Sequence, residues 1–266
     1  MNADDLGLAE GVNRGILEAH VAGAVTSTSV MVNLPAFDDA VRRARAAPAL
    51  GTGLHLNIVL GRPLTRAPSL TNARTGEFWP LAALARRAFA GRIDAGDVQR
   101  ECAAQLARLR ETGLRITHLD SHRHAHALPG VWLGVARAAR EAAVERVRAP
   151  LEPLGLNFRD PAATGRKLVL AASWSLATRR EPARRSARFV GISLQGSRRF
   201  ASRLFALLAH LPSGVTELMV HPGHDDGELA ALDQYRGARE RELEVLTSPA
   251  VGGALRGIER TNFGEI

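Results

Sequence analysis

The chain has 266 residues, room for one large domain or two modest ones, and a single α/β barrel fits. With 45% hydrophobic and 23% charged residues it has the balance of a soluble globular protein, and no apolar run reaches the roughly 18 residues a membrane span needs. The formal charge of +8 invites a nucleic-acid partner, but the cations are arginines scattered through Ala-rich segments, with Lys167 the only lysine, so no nucleic acid is expected.

In chain order, the opening Met1-Asn2-Ala3-Asp4-Asp5 has neither a basic segment nor an apolar h-region, which predicts no secretory signal. Residues 10–22 read as a helix, with Val12, Ile16 and Ala19 on one face and Gly23 as its stop. Residues 26–33 are β-branched and read as a strand, 36–47 as a helix ending before Pro48, and 52–58 alternate like a strand. Residues 61–96 break the rhythm with three prolines and helical character only over 81–90, so they read as an excursion over one end of the sheet. Residues 97–112 form a helix that carries Cys102, the only cysteine. An intramolecular disulfide and a Cys-based zinc cluster are therefore excluded, and a cytoplasmic location is the simplest expectation. A strand over 114–119 runs into a His cluster, and Pro129 opens a helix to about residue 144. A strand at 146–149 and a helix near 161–179 follow. Next come a strand at 188–193, a helix at 198–210, a strand at 215–220 and a helix at about 228–247. Repeated βα units argue for a parallel sheet, open or closed into a barrel. No repeat or linker divides the chain, so residues 1–266 are expected to be one domain, and a homodimer stays open.

Four histidines fall in nine residues: His118, His122, His124 and His126. Neutral imidazole is a ready metal ligand and the one side chain that titrates near neutrality unperturbed. The notable polar groups sit where predicted strands end: Asp120 and His122 after 114–119, His55 on 52–58, His221 after 215–220, with Asp4 and Asp5 before the first helix. In parallel α/β folds the C-terminal strand ends form one ligand-binding face. One carboxylate and two imidazoles there make a metal site with open positions. A neighbouring carboxylate could take a proton from a metal-bound water, whose pKa falls to about 7 in favourable zinc sites. A separate His could protonate a leaving group. Each residue also has a plainer reading. Asp4 and Asp5 suit a helix N-terminus, His55 a strand interior, and the 224–226 stretch a solvated turn. His118 reads as packing near the strand end.

Several motifs carry a resemblance to a known family. Asn2-Ala3-Asp4-Asp5-Leu6-Gly7, the stretch from Thr26 to Asn33, Gly53-Leu54-His55, Thr117 to His126, His221-Pro222-Gly223 and the R-x-x-E-L-x-x-L run from Arg239 to Leu246 occur in that order. Together they resemble the YdjC family of carbohydrate deacetylases, which includes chitooligosaccharide deacetylase, over nearly the full chain. The resemblance implies a deformed (β/α) barrel related to the polysaccharide deacetylases, with one divalent ion, Mg²⁺ or Zn²⁺. It matches Asp5, His55 and His122 to the metal ligands, Asp4 to the catalytic base and His221 to the general acid. The reaction implied is removal of an N-acetyl group from an acetamido sugar, in an oligosaccharide or a glycolipid. Asn33, His124, His126 and Trp79 are expected to bind substrate or orient ligands. In one respect the chain departs from the family. The apolar residues that normally precede the Asp-Asp motif are not there, so the first strand is expected to be missing or cut to its last residue, with Asp4 and Asp5 on a frayable end. Two competing readings are a barrel phosphoesterase or other metallohydrolase, often with two ions, and a non-catalytic basic binding protein.

Overall fold

The computed structural model describes residues 1–156, 160–179, 181 and 187–266. Its centre is a curled sheet of six parallel strands: β1 (Asn2–Leu6), β2 (Ser27–Val30), β3 (Gly51–Leu56), β4 (Ile116–Ser121), β5 (Arg188–Val190) and β6 (Thr216–Val220). Their order across the sheet is β4-β3-β2-β1-β6-β5, a half-barrel with β1 near the middle. Around it lie α1 (Glu10–Val21), α2 (Phe37–Arg45), α3 (Leu81–Phe89), α4 (Ala95–Glu111), α5 (Val131–Glu141), α6 (Pro161–Ala177), α7 (Phe200–Ala209), α8 (Gly227–Leu232), α9 (Gly237–Leu246) and α10 (Pro249–Ala254). The strand sides that face these helices carry the apolar core, including Leu54, Leu119 and Val220, all essentially without exposure.

The first strand is present, which corrects the expectation of a missing or one-residue strand. The Asp-Asp motif is itself β1. Asn2 pairs with Ser27 on one side and Met219 on the other, and Ala3 pairs with Thr28 and Val220. All five residues are buried. The register with β2 shifts between Ala3 and Leu6. There Asp5 takes φ +75°, in the left-handed region that L residues seldom occupy. Asp4 and Asp5 therefore sit in the middle of the sheet, with both β1 edges paired.

Other elements differ from expectation in local detail. The segment at 146–149 forms no strand with β4 but a single bridge between Leu119 and Val147, in which Leu119 N–H donates to the Arg146 carbonyl and the Leu119 carbonyl accepts from Arg148 N–H. The single helix expected over 228–247 is two, because Asp233 adopts an extended backbone (φ −142°, ψ 145°) and ends α8. The excursion is pinned by the buried acidic face of α4. Glu101 accepts from the Leu64 and Thr65 backbone N–H groups and from the Thr65 hydroxyl, and Asp97 accepts from Ser69 N–H.

The two ends of the half-barrel meet through polar groups instead of a strand ladder. Glu152, just past the 146–149 segment, accepts from the N–H groups of Gly191 and Ser193 beyond β5. Lys167 of α6 sits against the same carboxylate at 2.8 Å, and both side chains are almost wholly buried.

Candidate active site

The C-terminal strand ends bring Asp4, Asp5, His55, His122 and His221 to one cavity of about 500 Å³. Small residues make this convergence sterically feasible. A Cβ at Gly53 would lie 2.5 Å from the His118 ring, and one at Gly15 on α1 would lie 2.6 Å from the Gly223 Cα. The loop after His221 is thus seated directly on α1. Asp226 of that loop accepts from Gly11 N–H and from Leu229 N–H, so it caps α1 and α8 together.

At the centre, Asp5 Oδ1 faces two imidazoles, His122 Nδ1 at 2.7 Å and His55 Nε2 at 3.1 Å. One donor atom from each of the three residues lies within 4.8 Å of the others, the compactness a metal ligand set requires. His55 Nδ1 is held at 2.6 Å by Asp120 Oδ1, the carboxylate–histidine arrangement that turns the other ring nitrogen toward a metal. Burial opposes a charge on His55, but the Asp120 carboxylate and the hydrogen bonds to Asp120 and Asp5 prevail and raise its pKa to about 10. Burial would also raise Asp5, yet His122 and Arg239 outweigh it and hold the carboxyl well below its usual range. The pocket is therefore anionic enough to retain a proton on His55, and the donor chemistry fits a divalent cation.

Asp4 lines the same cavity and is gripped by an arginine. Both Nη atoms of Arg148 reach it, at 2.6 and 2.7 Å, and Asn2 Nδ2 donates at 2.8 Å. Arg148 also contacts Asp120 at 2.7 Å and Glu217 at 2.6 Å. Burial, with the Asp120 and Asp4 charges, lifts Glu217 to about 7 against the pull of Arg148.

His221 lines the same cavity, directly after Val220, the β6 residue that pairs with Ala3. Its backbone N–H donates to Glu242 Oε2 at 2.6 Å, and its ring stands edge-on to Tyr235, with centroids 5.4 Å apart. The Tyr235 hydroxyl bridges to Glu242 and accepts from Gly196 N–H. His221's ring nitrogens have no hydrogen-bond partner among the described residues.

Of the remaining expected residues, His124 lines the cavity in a left-handed backbone conformation (φ +53°), and its Nδ1 lacks a partner among the described residues. His126 is buried behind it, bonded to Ser121 Oγ at 2.6 Å and to the Arg148 carbonyl at 3.0 Å. His118 packs at the strand as expected, stacked on Phe263 at 4.2 Å. Like His126, two further residues do not line the cavity. Asn33 accepts from Asn57 Nδ2 and donates to the Arg62 carbonyl, so it ties down the start of the excursion. Trp79 lies in a separate surface depression beneath the Arg87 guanidinium, 4.9 Å from its centroid, because its loop is anchored to Leu70.

Sequence reasoning misses Arg148, Glu217, Arg239 and Tyr235. Two of them leave a trace: Arg239 opens the R-x-x-E-L-x-x-L run, and Glu217 interrupts the apolar strand β6. A charge in such a strand needs a buried partner.

A parallel half-barrel with one carboxylate and two imidazoles at its strand ends defines a class of α/β proteins whose donor set at the sheet's C-terminal face could hold a metal. Within it, the YdjC-like protein family model matches residues 1–257, and the chain belongs to that family. It is 35% identical to a carbohydrate deacetylase of Geobacillus stearothermophilus, over 100% of this chain and 96% of that protein. It is 34% identical to a chitooligosaccharide deacetylase of Yersinia pestis, over 96% of this chain and 92% of the relative. Among solved structures, an Enterococcus faecalis protein described as a candidate cellobiose-phosphate cleavage protein superposes with a TM-score of 0.78 at 28% identity, covering 99% of this chain and 96% of that one.

Proposed function

We propose that this chain is a metal-dependent carbohydrate N-deacetylase that hydrolyses the N-acetyl group of an acetamido sugar, releasing acetate and a free amine, with residues 1–266 acting as one catalytic domain. The observation that carries the reading is the shared cavity, which Asp5, His55 and His122 line together with Asp4 and His221. The relatives named as deacetylases support it over the full chain.

Asp5, His55 and His122 would hold one divalent ion, Mg²⁺ or Zn²⁺, which supplies Lewis-acid polarisation of the acyl oxygen and acidifies water. Asp4 takes the proton of the attacking water. Its Oδ2 accepts only one bond, from Arg148 Nη1, and so keeps a lone pair for that proton, while Arg148 and Asn2 fix the carboxylate's orientation. His221 hands a proton to the departing nitrogen, and its ring is free to turn toward substrate because Glu242 holds only its backbone. His124 faces the same space, and His126 carries the Arg148 backbone from behind.

A second donor group, Asp4, His55 and Asp120, invites a two-ion phosphoesterase reading. Arg148 decides against it, since its guanidinium already lies on both carboxylates as a fixed cation. The cavity has a polar base and an apolar wall of Leu81, Val169, Ile192 and Met219, which suits a sugar linked to an oligosaccharide or to a lipid.

Acetate release from a panel of N-acetylated saccharides and glycolipids tests the function. Wild type with added Mg²⁺ or Zn²⁺ is expected to turn over, Asp4→Asn to lose about 10²–10⁴-fold in kcat, and His122→Ala to lose both activity and bound ion. No acetate from wild type with any ion and any member of the panel would sink the assignment.

A further inference from the structure

Arg239 is among the most deeply buried large side chains in the molecule, at 1% exposure, and the chemistry assigned to the cavity above does not use it. It enters from the first turn of α9. Its Nε donates to the Tyr235 carbonyl at 2.8 Å, and its Nη2 donates to Asp5 Oδ2 at 2.6 Å and to Asp233 Oδ2 at 2.9 Å. The other oxygen of Asp233 accepts from Arg123 at 3.1 Å. Arg123 follows His122 directly and sits in the left-handed region at φ +54°. A continuous chain, Asp5–Arg239–Asp233–Arg123, thus joins the end of β1 to the turn after β4.

We propose that Arg239, seated on Asp233, is a positioning residue that fixes Asp5 as a one-oxygen donor and holds it in register with His122. The inference rests on the metal reading above and deepens it. The oxygens of Asp5 are divided: Oδ1 faces both imidazoles, and Oδ2 belongs to Arg239. A carboxylate free to rotate would present both oxygens to a cation, and the guanidinium removes that freedom. Asp5 also has strained backbone at φ +75°, which persists only where surrounding structure over-determines it. Net stability is a poor explanation for the pair, because burying an ion pair roughly cancels its own attraction, whereas specifying a geometry is a documented use of such pairs. Lysine could not substitute, since only a planar fork reaches the Tyr235 carbonyl and both carboxylates at once.

The test is calorimetric titration of the ion-free full chain with Zn²⁺ and with Mg²⁺, together with the visible spectrum of the Co²⁺-loaded protein. Arg239→Lys is expected to bind about 10–100-fold more weakly, the loss typical when a ligand's outer partner is removed. Its Co²⁺ spectrum is expected to shift toward higher coordination as Asp5 offers its second oxygen, a change that a merely structural role would not produce. Asp233→Asn keeps the side chain's shape, removes the charge that seats Arg239 and turns one of the two oxygens that accept from Arg239 and Arg123 into a donor. It is expected to weaken binding in the same direction by a smaller factor, and it stands in should Arg239→Lys fail to fold. Unchanged affinity and an unchanged spectrum in the folded variants, with wild type binding normally, overturn this inference alone. Wild type that binds none of the three ions overturns the metal reading, and this inference with it.

Discussion

His55 carries the sharpest electrostatic conflict in the cavity, one imidazole between two buried carboxylates. Its folded-state pKa of about 10 lies above the ordinary 6.5, so it adds stability that is full below pH 6.5 and lost as pH rises through 10. A ligating imidazole must be neutral. At pH 8, therefore, ion binding has to expel the His55 proton. Titrations in buffers of different ionisation enthalpy are expected to show at least one proton released per ion. No release would mean that His55 is already neutral at pH 8 or does not ligate. The residues legible from sequence are those whose chemistry lies in a short motif: Asp4 and Asp5 are adjacent, and His122 belongs to a dense cluster. Arg148 and Arg239 act through partners that lie 144 and 234 residues away, a relation that no local pattern carries, even though Arg239 opens the R-x-x-E-L-x-x-L run. Asn33 and Trp79 show the converse. A strand end or a loop can be located from sequence, but the direction of the side chain depends on neighbours that folding alone supplies.

At the scale of elements, most helices and strands follow from apolar periodicity, and the differences arise where polar contacts override it. Asp233 ends α8 because its carboxylate is needed by Arg239 and Arg123, so a continuous helical pattern breaks there. The excursion that precedes α3 keeps its place through Glu101, which replaces a strand partner with four accepted hydrogen bonds, Gln105 Nε2 providing the fourth. Glu101→Ala would strand the Leu64 and Thr65 N–H groups, each worth about 1–3 kcal/mol when left unsatisfied. The expected outcome is lower stability in urea, with faster hydrogen exchange concentrated at residues 60–70 while β3 stays protected. Uniform exchange across the chain would show that Glu101 supports the fold generally and not this loop.

On the scale of the whole molecule, β1 makes the half-barrel possible. It pairs with β2 and β6 and carries the two acids, so architecture and chemistry share five residues. The sheet's ends are joined by Glu152 and Lys167. Removing one partner of a buried pair typically costs about 3–5 kcal/mol, because it leaves an uncompensated charge. Lys167→Met is expected to lower stability by that amount in chemical denaturation, and Lys167→Met combined with Glu152→Gln by less. With Glu152→Gln also measured alone, losses that simply add in the double variant would show that the pair is not coupled.

The seam holds the chain's one lysine, almost completely buried. An acylating reagent offered to the native protein therefore meets no exposed ε-amine at all. Its reaction rate at Lys167 reads how often the two ends of the sheet part, which makes the closure of the half-barrel measurable in solution by mass spectrometry, one adduct at a time.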